Sequence, residues 1–446
     1  MIKNYLQIVV LMTCVFVSFP AGATDYDLTA YLRKVESNNL QIRLARNGIE
    51  SSNTDAAMAR SALFPAVTVQ GGYSHNLTDT MESTPVGSNL NSAQNGIAPL
   101  VYKDIDTNFD NEFTVAFSVN QKIFDPSSAA AYQRAMKGRA VMSAQYEAVL
   151  QNVMTSAKKI YAQAQLTMEV AAIAAESEVN AYALYESAKR RAAVGTATQL
   201  EVLAAESTWK SCIPDTSEAK QNAELVMDAL KDLAGIPLNE EVRLTEKRLS
   251  LPTIPEERPI GEILASRPDY TALFAAKEIA DISKKAALAS YIPTVNASIT
   301  YATGLFTGYA SKWDETDYTA AQAGVMVTLR LFSGGYRIAL SESASLAQDK
   351  AAINLEQKSR DIEREIRRLL FILDEAYDRI ASRQAAVAVS KRAMELSQAS
   401  FEAGSVSQQS VNDALERYRK AELGFHHAVF TYLSAYYDLE LAAGMY

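Results

Sequence analysis

Cysteine is almost missing from this chain. Of 446 residues only Cys14 and Cys212 are cysteine. Cys14 sits in a segment expected to be removed, so the mature chain offers neither an intrachain disulfide nor a cysteine-held metal cluster. Histidine is nearly as scarce. His75 falls in a loop, and His426 and His427 are adjacent on a predicted helix, where neighbouring side chains diverge by about 100° and form no two-ligand face. There is no HExxH, no Walker loop, no Gly-rich dinucleotide turn and no nucleophile elbow. We therefore expect no enzyme activity, no catalytic residue and no cofactor or metal site. A basic run is absent too, and the formal charge is −9, which argues against nucleic-acid binding. Beyond the first 23 residues no apolar run is long enough to span a membrane as a helix.

Residues 1 to 23 read as a secretory signal. Lys3 supplies the basic region, Ile8 to Phe19 the apolar core and Ala21-Gly22-Ala23 the cleavage site. Twelve apolar residues are too few for an anchor, which needs about 20. The residues before Cys14, Leu11-Met12-Thr13, fit a lipoprotein signal poorly, so no lipid anchor is expected.

Glycine and proline are missing where their absence says most. Ser127 to Val194 holds no proline and only Gly138; Tyr336 to Ala403 holds neither residue. The first stretch follows Asp125-Pro126 and ends at Gly195, and the second follows Ser333-Gly334-Gly335 and ends at Gly404, which are helix start and stop signals. Each has 68 residues, so each predicts a helix of about 100 Å. Lys158, Lys159, Glu176, Lys189 and Arg190 in one, and the charged run Asp361 to Arg368 in the other, make both too polar to lie in lipid. They read as rods standing in water, packed side to side, with abundant alanine permitting close approach.

The chain is written twice. LFPAVTVQGGY at 63–73 matches YIPTVNASITY at 291–301, VNQKIFDP at 119–126 matches VTLRLFSG at 327–334, and RAAVGTATQLEVLAAE at 191–206 matches FEAGSVSQQSVNDALE at 401–416. Phe124 to Gly195 spans 71 residues and Phe332 to Gly404 spans 72. The first copy carries about 20 extra residues between Pro65 and Phe124. The organisation expected is a signal at 1–23, a first repeat at 24–235, a linker at 236–259 with four prolines, and a second repeat at 260–446. Each repeat opens with an amphipathic helix, about Leu28 to Ser61 and Ile260 to Ser290. Each ends with a returning helix, about Thr196 to Ala234 and Ser405 to Ala443. The returning helices are interrupted by Pro214 and Gly424, which would mark a kink or belt. An opening and a returning helix stacked end to end match one rod in length.

Between opening helix and rod the period changes to two. Val67, Val69, Gly71 and Tyr73 oppose Thr68, Gln70 and Gly72. The same alternation runs through Phe113 to Asn120, Val295 to Tyr301 and Gly324 to Leu331. Four strands of this kind suit an outer-membrane barrel, although a half-buried sheet in water alternates identically. The signal and the rods favour the barrel. The intervening loops, 74–112 and 302–322, are rich in Asn, Asp, Ser, Thr and Gly. Four strands cannot close a barrel, and open edges in lipid cost several kcal/mol per unpaired group. Several chains must then share one barrel. Two copies make eight strands with a filled lumen; three make twelve and leave a pore.

With these features in place, the chain resembles the TolC-like outer membrane efflux protein family over nearly all its mature length. The resemblance is carried by the LFP strand entry, the KIFDP and RLFSGG strand-to-helix joins, the VGTATQLEVLAAES and AGSVSQQSVNDALERY hairpins and Arg267-Pro268-Asp269. It implies a mainly α-helical homotrimer with a twelve-stranded outer-membrane β-barrel, continued by a coiled-coil tunnel across the periplasm. It also implies partners: a periplasmic adaptor, an inner-membrane transporter and outer-membrane lipid. The function implied is a passive exit duct for efflux or type I secretion. The alternative is a periplasmic adaptor or scaffold built on helical hairpins, which would carry one hairpin rather than two. Two acidic positions, Glu201 and Asp413, correspond to residues that narrow the periplasmic entrance in the family, where threefold symmetry makes cation-attracting rings; a solvated helix face is the plainer alternative. Val194, Gly195 and Thr196, with Ala403, Gly404 and Ser405, are the expected adaptor-contact tips, and glycine there also suits a plain αL helix cap. The sequence departs from the family at Phe401 and Val406, which lack the hydroxyl and charge that latch the entrance elsewhere, and at Ser410, which replaces an acid.

Overall fold

The computed structural model describes residues 24–78, 81–89, 98–106, 110–245, 251–255, 258–307, 316–403 and 405–445. The expected signal at 1–23 and the tip glycine Gly404 lie outside them. In chain order the elements are β1 (Thr24–Tyr26), α1 (Leu28–Asn38), α2 (Leu40–Ser61), β2 (Ala66–His75), β3 (Met81–Ser88), β4 (Leu100–Asp106), β5 (Asn111–Phe124), α3 (Pro126–Ala193), α4 (Gln199–Leu233), β6 (Val242–Leu244), α5 (Ile260–Ser266), α6 (Pro268–Ala289), β7 (Thr294–Thr307), β8 (Thr316–Thr328), α7 (Tyr336–Glu402) and α8 (Gln408–Ala442). The fold is mostly α-helical with a smaller β part. It divides into two compact units: Met1–Gly48, Ser143–Thr271 and Glu356–Tyr446 form the first, and Ile49–Met142 with Ala272–Leu355 the second.

The rods form as their composition requires. α3 runs 68 residues and α7 runs 67. Asp125 caps α3, its carboxylate accepting from the Ser127 N–H at 3.0 Å, with Pro126 in the first helical position. Before α7, Gly334 and Gly335 take φ of 61° and 84°, a double left-handed turn that favours glycine.

In the first unit α7 packs against α8. Leu369, Leu373, Ala376 and Ile380 of α7 are buried at spacings of four, three and four, against Ala428, Tyr432, Ala435, Leu439 and Ala442 of α8 in the same rhythm. That is the a/d seam of a heptad. On α3, Ala174, Ala181 and Ala188 are buried seven residues apart. A second core gathers Tyr31, Val35, Ile42, Val153, Tyr161 and Leu230 beneath the parallel pair β1–β6. There the Tyr31 hydroxyl donates to the Leu230 carbonyl at 3.1 Å and the Tyr161 hydroxyl to that of Tyr26 at 3.2 Å, so neither buried phenol is left without a partner.

Two expectations are corrected. Each opening helix is two helices, broken at Asn39 and at Arg267, each 26 residues before the strand-leading proline. Asn39 accepts from the N–H groups of Gln41 and Ile42, capping α2, and donates to the Leu233 carbonyl. Arg267 precedes Pro268, which disfavours helical backbone in the residue before it. The interruptions expected at Pro214 and Gly424 are not breaks: α4 and α8 each run 35 residues through them. Tertiary packing overrides the local penalty. Thr216, two residues beyond Pro214, is buried and donates to the Ala174 carbonyl of α3 at 3.1 Å.

In the second unit β2, β5, β7 and β8 form one antiparallel sheet in that order. Its register aligns the alternation of all four strands. Val69, Phe117, Tyr301 and Ala321 lie in one cross-strand row, and Val67, Val119, Ile299 and Ala323 in another. The rows between them are Thr68, Ser118, Thr300 and Gln322, and Ala66, Asn120, Ser298 and Gly324. The apolar face is bare: Val67 is 69% exposed, Val69 60%, Ile299 58% and Val325 69%. The extra residues of the first copy carry a further hairpin, β3–β4, which the sequence reading treated as loop.

Candidate functional site: the two helix-hairpin tips

Both tips belong to the first unit. At the first, α3 ends in a Schellman turn. Gly195 has φ 76°, its N–H donates to Ala192 at 3.0 Å, and the Thr196 N–H donates to Arg191 at 2.9 Å. The Thr196 hydroxyl reaches the same Arg191 carbonyl at 3.0 Å. At the second tip the Ser405 N–H and hydroxyl both donate to the Ser400 carbonyl at 2.9 Å. The same six-residue closure thus occurs in both, from different sequences. Val194 stands 74% exposed at the first tip.

Glu201 has a local task that the sequence reading missed. Thr198 caps α4, accepting from the Glu201 N–H at 3.2 Å, and the Glu201 carboxylate accepts from the Thr198 N–H at 2.7 Å. This is a reciprocal capping box, and TxxE at 198–201 was its sequence signature. The matching residue at the second tip is Ser410, whose N–H donates to Ser407. The missing acid there costs one arm of the box. Asp413 is exposed and accepts from Gln409 at 2.7 Å.

The tips are joined by a contact that motif matching did not find. The Arg191 guanidinium, at the end of α3, lies 4.8 Å from the ring centroid of Phe401, at the end of α7. A cation over an aromatic face is attracted by the ring quadrupole, by roughly 0.5–1 kcal/mol at an exposed site. Phe401 carries no hydroxyl, and it is its ring face that meets Arg191. Higher on the first hairpin, Tyr185 stacks on Trp209 at 5.6 Å and 13°, and Lys210 lies 4.2 Å over the Trp209 ring. The spacing of Tyr182 and Tyr185 was the available clue.

Away from the tips, Arg267 fastens the start of α6 to α7 and α8. It bonds Asp269 through two nitrogens at 2.9 and 2.7 Å, Glu365 of α7 at 2.9 Å and the Ala442 carbonyl of α8 at 3.0 Å. Lys358 meets Asp269 at 2.7 Å. Burial works to raise the Asp269 pKa, but hydrogen bonds from Arg267 and Lys358 and their charges outweigh it and hold it at about 2. This network explains why Arg-Pro-Asp stands together. Among the described residues no three His, Cys, Asp or Glu side chains gather to hold a metal ion.

Comparison with known proteins agrees with this architecture. The family described as outer membrane efflux protein matches residues 31–235 and 260–445. The outer membrane protein TolC of Vibrio cholerae is 22% identical, over 86% of this chain and 83% of its own. The alkaline protease secretion protein AprF of Pseudomonas aeruginosa is 20% identical, over 92% and 82%. The crystal structure of the Campylobacter jejuni CmeC outer membrane channel superposes with a TM-score of 0.75 at 20% identity, covering 94% of this chain and 85% of that one. The chain belongs to the outer membrane efflux protein family, and with it to the non-catalytic channels of the outer membrane.

Proposed function

We propose that the protein is the exit duct of a tripartite efflux or type I secretion system, working as a homotrimer. Three four-stranded sheets would join β2 of one copy to β8 of the next and close a twelve-stranded barrel, with the rods continuing as a periplasmic tunnel. The observation that carries this reading is the sheet register. It sets four apolar strand faces on one exposed side and leaves both edges, β2 and β8, open. An exposed apolar face with open edges suits lipid only when the edges meet other strands. The curated relatives include a channel named for protease secretion and one named for efflux, so cargo of either kind is compatible with the fold.

In this reading Val194 to Thr196 and Ala403 to Ser405 meet a periplasmic adaptor, which couples the duct to an inner-membrane transporter that supplies the energy. Asp413 lines the entrance. Glu201 does so with the carboxylate oxygen its cap leaves free. The Arg191–Phe401 contact holds the two hairpins together at their tips.

Planar-bilayer recording tests this. The purified protein should conduct with no energy source and prefer cations. Asp413→Asn and Glu201→Gln together should lower that preference; glutamine still serves the capping box, so folding should survive. No conductance would sink the duct, and unchanged selectivity would sink the acidic entrance.

A further inference from the structure

A cavity of about 660 Å³ opens in the second unit, where the polar face of the sheet meets α3, α6 and α7. Its size is in the range of small-molecule pockets, roughly 300–1,000 Å³. The floor is apolar, built from Ala286, Ile292, Leu340, Ala344 and Ala347. Thr294, Asn296 and Thr328 supply a polar side; they alternate with Val295 and Val327, which belong to the opposite, apolar face.

The charges on its wall do not balance. Asp125, Arg134 and Arg330 line the cavity. Asp125 is already committed: it accepts from the Ser127 and Ser128 hydroxyls at 2.6 and 2.7 Å and pairs with Lys122 at 3.1 Å. Arg134 and Arg330 have no carboxylate partner among the described residues. Two guanidiniums without counter-charge above an alanine-rich floor form an amphiphilic surface of one sign. Guanidinium groups match carboxylate, sulfate and phosphate geometry, and such bonds are stronger than neutral ones.

We infer that this cavity is a binding site for anionic amphiphiles, with the acidic head on Arg134 and Arg330 and a short apolar tail along Ala286, Leu340 and Ala344. The inference rests on the duct reading, in which the polar face of the sheet is the inside of the barrel. The site then faces the cargo path, just inward of the membrane segment, and gives the duct a preference among the molecules it passes. Neutral amphiphiles lose the head contact, and cationic ones meet repulsion.

Single-channel recording of the full-length protein, with octyl sulfate, octyltrimethylammonium or inorganic sulfate added, tests the site. Octyl sulfate should interrupt the current in a concentration-dependent way, and octyltrimethylammonium and inorganic sulfate should do so at least about tenfold less well. R134Q and R330Q should each raise the half-blocking concentration of octyl sulfate about tenfold or more. R330K, which keeps the charge, should recover part of the effect. Equal block by the cationic amphiphile, or wild-type block in both glutamine variants, would overturn the site. Equal block by inorganic sulfate would overturn its amphiphile character. Channels that never open would instead overturn the duct itself, so the two failures are distinguishable.

Discussion

Asp269 shows how a single side chain ties distant parts of the chain. Its pKa is held at about 2, below the ordinary value of 3.8, so its ionised form is favoured in the folded state. The stability it contributes is complete above about pH 4 and is lost as pH falls toward 2. A shift of that size corresponds to about 2 kcal/mol. Asp269→Asn should therefore lower thermal stability at pH 7 by an amount of that order, and the gap to the wild type should close between pH 4 and 2. A gap that persists at pH 2 would show that the charge is not what matters. Residues of this kind were only half legible in the sequence. Arg267-Pro268-Asp269 was visible as a motif, but its partners lie 98 and 175 positions away at Glu365 and Ala442, which no local pattern announces. Glu201 was read for its charge, while its hydrogen bond to Thr198 was encoded three residues upstream.

At the scale of elements, periodicity was the readable signal. Absence of proline and near-absence of glycine marked α3 to within a residue, and strict alternation marked the four strands of the main sheet. What local pattern could not weigh was packing. Pro214 and Gly424 read as interruptions, yet neighbouring helices keep α4 and α8 continuous. Asn39 read as ordinary helix, yet its side chain caps a new one. The β3–β4 hairpin lacked alternation and passed for loop. The contact between hairpins is equally non-local: Arg191 and Phe401 are near the ends of different rods. Arg191→Ala should loosen the tips and raise channel conductance in planar bilayers severalfold, with Phe401→Leu acting alike and Phe401→Trp leaving the conductance at the wild-type level. A conductance unchanged in both Arg191→Ala and Phe401→Leu would show that the contact holds nothing shut.

For the whole molecule the decisive fact is an incomplete surface. One chain presents a bare apolar sheet face with two open edges, and among its described residues no helix is long and apolar enough to cross a membrane. The family resemblance was legible from sequence, and the family match now covers residues 31–235 and 260–445. The number of chains is the part that a single chain states only indirectly, through the strands it lacks. Native mass measurement on protein extracted from outer membranes in mild detergent tests it most directly. The account predicts a particle of three chains, stable until heated; a single chain that stays dispersed without detergent would contradict it.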